Sequence, residues 1–226
     1  MKYNVNFDIE FKENSYPGKL IAIEGIDGSG KTTQAQLLCK KLGEKGIAAS
    51  CTKEPTDEPT GRMIRQVLAG DLSMPPVALQ YLFNADRAVH QEQFIKSLEK
   101  GEYIITDRYF WSSVAYAIAD LPAGRHGLTE IDDYYLTVFS LLSFYNRFLI
   151  PDITFYLRVN PKTGTNRIEE TGKKREIYDH EEKLVKIQKG YEFLLEKFPE
   201  KFVIIDAEKS IEEVSAEIEK QVSRIM

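Results

Sequence analysis

The stretch Gly25–Thr32, G-I-D-G-S-G-K-T, constrains this chain more than any other part of it. It satisfies G-x-x-x-x-G-K-[ST] in full, and its surroundings agree. Lys19–Glu24 is an apolar run that reads as a buried strand, and Lys31–Lys45 places Leu37, Leu38 and Leu42 on one face of a helix with Gly46 just past its end. Glycines let backbone N–H groups wrap phosphate oxygens where a side chain would obstruct them, and the following helix points its positive end at the same oxygens. Gly25, Ile26, Asp27, Gly28, Ser29, Gly30, Lys31, Thr32 and Thr33 are therefore the candidate ATP contacts. Lys31 is expected to reach the β- and γ-phosphates, and the Thr32 hydroxyl to ligate Mg²⁺.

A phosphate cradle serves kinases, GTPases and motors alike. The guanine-reading string N-K-x-D is absent, and 226 residues fit one domain with a small lid. A small-molecule kinase is the expected class. The net charge of −5 comes without a basic block, so broad nucleic-acid binding is not expected. The chain's uncharged stretches, such as Tyr134–Asn146, are short of the roughly 20 residues a membrane span needs. With no secretory pattern at the N-terminus, a cytoplasmic location is expected. Cys39 and Cys51 lie apart in apolar-periodic stretches without metal spacing and read as buried free thiols of a reducing compartment.

Further strands are expected at Ile47–Lys53, Glu102–Thr106, Ile153–Val159 and Phe202–Ile205. Helices are expected at Gly61–Ala69, from Pro75-Pro76 to Leu98, and at Thr129–Phe148, Pro161–Lys174, Glu181–Phe198 and Ser210–Ile225, the last capped by Ser210. Thr129–Phe148 is apolar around most of its circumference, which suits a helix buried in the core or covered by a partner. Alternating strands and helices imply an α/β, three-layer αβα sandwich of the P-loop type around a five-stranded parallel sheet. Residues 1–18 form an extension to a domain spanning 19–226. Within the extension, Tyr3, Val5, Phe7, Ile9 and Phe11 alternate with polar residues, as a half-buried strand would.

In such sheets ligands bind beyond the carboxyl ends of the strands. Three groups fall there: Asp107-Arg108-Tyr109 with Ser112, Ser113 and Tyr116; Phe83 with Arg87 on one face of a helix; and a basic turn carrying Lys173, Lys174 and Arg175. By spacing alone Phe83 serves equally as core, and Arg87 as a surface partner of Asp86 or Glu92.

Taken together, the segments E-G-I-D-G-S-G-K-T-T, K-E-P-T-D, Y-L-F-N-A-D-R, T-D-R-Y-F-W-S-S-V-A-Y, P-D-I-T-F-Y-L and K-R-E-I-Y, in that order over about residues 19 to 215, resemble the thymidylate kinase family. The resemblance implies ATP-dependent phosphorylation of dTMP with Mg²⁺ held through Thr32 and Asp107, in a homodimer. It implies that Phe83 stacks on the pyrimidine and that Arg87 donates to a base carbonyl. Arg108 would grip the acceptor phosphate, and Asp27 would lie near the sugar hydroxyl and the metal. Ser113 would face the base edge, and Tyr116 would pack under the deoxyribose.

The family takes a catalytic arginine from the P-loop or from the lid. Gly25–Thr32 contains none, so the lid at about 166–179 is expected to supply it, through Arg175 first and Arg167 second. Lys31, Arg108, Arg175 and Asp27 make up the expected catalytic set. Two departures bear on the acceptor: Ala117 stands where the family commonly has glutamine, and Asp120–Asp133 is longer than usual. A kinase for another nucleotide or nucleoside, or an inactive nucleotide-binding regulator, is the alternative reading of the same residues.

Overall fold

The computed structural model describes residues 10–120, 140–142, 144–172 and 175–226. In chain order these form β1 (Leu20–Glu24), α1 (Lys31–Glu44), β2 (Ala49–Lys53), α2 (Pro59–Leu68), α3 (Pro76–Leu98), β3 (Tyr103–Asp107), α4 (Phe110–Ala119), β4 (Ile153–Arg158), α5 (Pro161–Glu170), α6 (Glu181–Lys197), β5 (Val203–Asp206) and α7 (Ile211–Val222). The five strands are all parallel, in the order β2-β3-β1-β4-β5. All five residues of β1 are buried, and successive strand residues face opposite sides, so both faces of the sheet centre are covered. That is the expected α/β sandwich. Among the described residues no helix is long and apolar enough to cross a membrane.

Element ends follow local chemistry. Pro76 opens α3 from its first turn, where its missing N–H costs nothing. Ser210 caps α7 by accepting from the Glu213 N–H while the Glu213 carboxylate reaches back to the Ser210 N–H. Register then sets the ligand face: Ile23 pairs with Asp107 across β1 and β3, and Lys53 pairs with Asp107 across β2 and β3. The carboxyl ends of three strands thus converge beside the glycine turn.

One expectation needs correction, one helix is not among those expected, and two expectations fall largely outside the described residues. Cys39 and Cys51 are not separate buried thiols. Helix α1 packs along edge strand β2, bringing their Cα atoms to 6.2 Å, and the sulfurs form a disulfide. Because β2 is an edge, Cys51 is exposed, and the pair carries no argument for a reducing compartment. The sequence pattern also shows no helix at Phe110–Ala119. This segment is helical and buried along its whole length, so no amphipathic period marks it. The expected helix Thr129–Phe148 lies mostly outside the described residues, although 140–142 and 144–145 are helical. The strand expected at Lys2–Phe11 also falls largely outside them. Its final residue, Phe11, stacks on Phe110 with ring centroids 5.9 Å apart, and Lys12 bridges to Leu149.

Candidate functional site

The turn after β1 lies against α5. A Cβ on Gly28, whose φ is 77°, would stand 2.2 Å from the Gly164 carbonyl oxygen, and a Cβ on Gly164 would stand 2.7 Å from the Asp27 oxygen. Two backbones therefore meet where neither position admits a side chain. Gly164 is part of the cradle that the motif does not reveal. Lys31 is buried, and its ammonium donates to the Ile26 carbonyl at 2.7 Å, folding back over its own loop. Burial and the neighbouring Arg108 pull the Lys31 ammonium down to about 8, against support from Asp27, Asp107 and Glu24.

At the end of β3 the chain turns sharply. Arg108 is the only described non-glycine residue with positive φ, at 73°. Such a conformation costs on the order of 1–3 kcal/mol and persists where surrounding structure imposes it. Here the Arg108 N–H donates to the Ile23 carbonyl at 3.0 Å, and its own carbonyl accepts from the Thr106 hydroxyl at 2.7 Å. The guanidinium is thereby turned toward the glycine loop, donating to Asp27 Oδ1 at 2.5 Å and to the Gly25 carbonyl at 3.1 Å. Tyr116 donates to Asp27 Oδ2 at 2.8 Å, and Arg108 sits 5.0 Å above its ring. Burial alone would raise the Asp27 carboxyl, but Arg108 and Lys31 outweigh it and hold the group at about 2. Thr32 donates to Asp107 in a short contact, which places a hydroxyl and a carboxylate together at the mouth of the loop.

Glu24, fully buried, anchors the start of α4. Burial raises its carboxyl, while it accepts from the Tyr109 N–H, the Ser112 N–H and hydroxyl, and the Tyr191 hydroxyl. A carboxylate at the N-terminus of α4 satisfies amides the helix cannot pair internally. It fixes the helix that carries Ser112, Ser113 and Tyr116.

Two cavities flank this centre. One, of about 190 Å³, is walled by all six residues expected at the acceptor: Asp27, Phe83, Arg87, Arg108, Ser113 and Tyr116. The other, of about 740 Å³, is walled by Asp27 through Thr33, with Asp107 and Arg167. Gly25 and Ile26 contribute backbone behind that wall rather than surface. The two cavities share Asp27, Glu54, Arg108 and Glu176.

Arg87 is buried and pairs with neither Asp86 nor Glu92. Its Nε donates to Glu54 at 2.6 Å, and its Nη1 donates to Ser113 at 2.7 Å and to Tyr145 at 2.8 Å. Glu54 also meets His90 at 3.0 Å, and Asp86 instead accepts from the Thr56 N–H and hydroxyl. Burial opposes the guanidinium charge, but Glu54 more than restores it, and Arg87 stays fully protonated.

The stretch 175–179, the end of the expected lid, borders the acceptor-side cavity through Glu176 and Tyr178. Ile177 donates to the Leu68 carbonyl at 3.0 Å, and Tyr178 packs edge-on to Tyr116 at 4.9 Å while donating to Asp120 at 2.5 Å. Of the lid arginines, Arg167 donates to the Ala207 carbonyl at 3.0 Å and lies 3.5 Å from the Gly28 carbonyl. Arg175 pairs with Glu169 at the surface and lies on neither cavity wall. Lys173 and Lys174 fall outside the described residues. Glu54, Glu176 and Tyr178 lie within the segments K-E-P-T-D and K-R-E-I-Y, but the sequence assigns none of them a role of its own. Glu54 carries one further signal, lying between the end of a strand at Lys53 and Pro55.

Residues 23–218 match the description of the thymidylate kinase family. The chain is 34% identical over 205 residues to the thymidylate kinase of an Exiguobacterium strain, covering 89% of this chain and 92% of that one. It is 39% identical over 208 residues to a probable thymidylate kinase of Thermococcus kodakarensis, covering 88% and 94%. Among solved structures it is similar to the Candida albicans thymidylate kinase, with a TM-score of 0.72 and 28% identity over 93% of each chain.

Proposed function

The chain belongs to the thymidylate kinase family, and from that premise we propose that it transfers the γ-phosphoryl group of ATP to dTMP, giving dTDP and ADP. The observation that carries this reading is the meeting of two cavities at Asp27 and Arg108, one walled by the glycine loop and one by Phe83, Arg87 and Tyr116.

The chemistry asks little proton transfer of the protein. The acceptor is a phosphate monoester whose second pKa is about 6, so its attacking oxygen is largely ionised at neutral pH. Alignment and charge neutralisation remain to be supplied. Lys31 exchanges the Ile26 carbonyl for the donor phosphates. Arg108, already aimed between the cavities, takes the acceptor phosphate as a rigid fork. Asp27, kept ionised, accepts from the sugar hydroxyl, and Tyr116 forms the floor under the deoxyribose. Phe83 offers its ring to the pyrimidine, Arg87 donates to a base carbonyl, and Ser113 borders the base edge. Thr32 and Asp107 present only hard oxygen donors, a set that suits Mg²⁺, and these residues would hold it. Held by these residues, Mg²⁺ would supply charge neutralisation to the donor phosphates. Arg175 is proposed as the transition-state arginine, exchanging Glu169 for phosphate when both substrates are present, with Arg167 serving the donor.

A homodimer and a cytoplasmic location belong to the same proposal. The exposed apolar residues Val77 and Tyr81, one turn apart on α3, joined by Phe144 packed edge-on to Tyr81, support a subunit contact. Steady-state assays with ATP across dTMP, dUMP, UMP, CMP and thymidine test the function. The highest kcat/KM is expected for dTMP. A preference for thymidine, or for a ribonucleotide, would overturn the assignment.

A further inference from the structure

Arg87 is held on three sides, and only two of the holders come from segments already tied to the acceptor site. Glu54 lies just past the end of β2, and Ser113 belongs to α4. The third is Tyr145, from the segment between α4 and β4, with no exposed surface. Its hydroxyl accepts from Arg87 Nη1 at 2.8 Å and donates to the Asn84 side-chain oxygen in a short contact. Its ring lies 5.4 Å from the Arg87 guanidinium and stacks on Phe110 at 5.2 Å, with Phe148 edge-on at 5.2 Å. Both ring and hydroxyl are therefore fixed before any ligand arrives.

We propose that Tyr145 is a positioning residue for the base-reading Arg87, setting the direction of the guanidinium and with it the preference for a pyrimidine carrying a carbonyl, rather than an amino group, at its 4-position. The inference rests on the dTMP kinase reading above. Glu54 meets both Nε and Nη2 of Arg87, fixing its charge and one edge of the fork. Ser113 and Tyr145, both on Nη1, fix the opposite edge and leave Nη2 as the nitrogen with an N–H still to give. A guanidinium can donate and never accept, so its direction decides whether the pocket meets a carbonyl or clashes with an amino group. Tyr145 works through Arg87 and need not touch the base. It also places the acceptor's recognition partly under the control of a residue outside the motif segments.

The test is Tyr145→Phe in the full chain, assayed for dTMP, dCMP and ATP, with thermal unfolding recorded alongside. Loss of one hydrogen bond to a charged group predicts a rise in the dTMP KM of about 10-fold or more. kcat and the ATP KM are expected within about twofold of wild type, and the dTMP-over-dCMP preference should fall by a similar factor to the dTMP KM change. Asn84→Ala, which removes only the group orienting the hydroxyl, should shift the same two quantities in the same direction and by less. An unchanged dTMP KM and preference in Tyr145→Phe would overturn the proposal. So would losses shared equally by the ATP KM and kcat with a lowered Tm, since these mark a merely structural role. If wild type itself fails to phosphorylate dTMP, the function assignment falls. If wild type turns over and the variants match it, only this inference does.

Discussion

Lys31 offers a quantitative test of how the cradle works. In the protein without nucleotide its ammonium is buried against Ile26 and pulled down to about 8 by burial and Arg108. Phosphates arriving beside it favour the charged form, so nucleotide binding and protonation of Lys31 are linked. At pH 7 roughly nine-tenths of the molecules carry the charge, and at pH 9 roughly one-tenth do. If only the ammonium form binds, the apparent Kd for a non-hydrolysable Mg-ATP analogue rises about tenfold from pH 7 to pH 9, and binding at pH 8 takes up about half a proton. Isothermal titration in two buffers of different ionisation enthalpy, at fixed ionic strength, measures both quantities. Lys31→Arg, whose guanidinium does not titrate in this range, should bind with a flat profile and no uptake attributable to residue 31. A flat wild-type profile with no proton uptake at pH 8 would refute the reasoning.

Two other perturbations probe the lid and the loop. Arg175→Ala should lower kcat by about 10³-fold with little change in acceptor KM, whereas Arg167→Ala should act mainly on the ATP KM. The reverse pattern would transfer the transition-state role to Arg167. Gly164→Ala would place a Cβ 2.7 Å from the Asp27 carbonyl oxygen. It should destabilise the fold by about 1–3 kcal/mol and raise the ATP KM, because the displaced group is the phosphate loop itself. Wild-type Tm and ATP KM in that variant would show that α5 yields instead.

What the sequence discloses divides along physical lines. The glycine loop, the parallel sheet and the Ser210 cap are legible because each is encoded within a few consecutive residues or a single period. The acceptor set of Phe83, Arg87, Arg108, Ser113 and Tyr116 needs the family resemblance, since spacing alone leaves Phe83 as core and Arg87 on a helix surface. Helix α4 escapes because a segment buried on every side has no polar face to mark its period. Glu24, Glu54 and Tyr145 act through partners far along the chain: Tyr191 for Glu24, Arg87 for Glu54, and both Asn84 and Arg87 for Tyr145. Gly164 has meaning only once α5 is laid against the loop. The disulfide is of the same kind, joining a helix and an edge strand that become neighbours only on folding. Arg175 illustrates the opposite case: its position in a basic turn is conspicuous in sequence, yet in this structure it faces Glu169.

The central claim is direct transfer between two bound nucleotides across Asp27 and Arg108. Phosphorus NMR of the protein with Mg-ATP and dTMP tests it without coupling enzymes. The account predicts that the dTMP resonance is replaced by the paired resonances of dTDP as ATP becomes ADP in equal amount, with little inorganic phosphate. ATP consumed into inorganic phosphate while dTMP persists would contradict it.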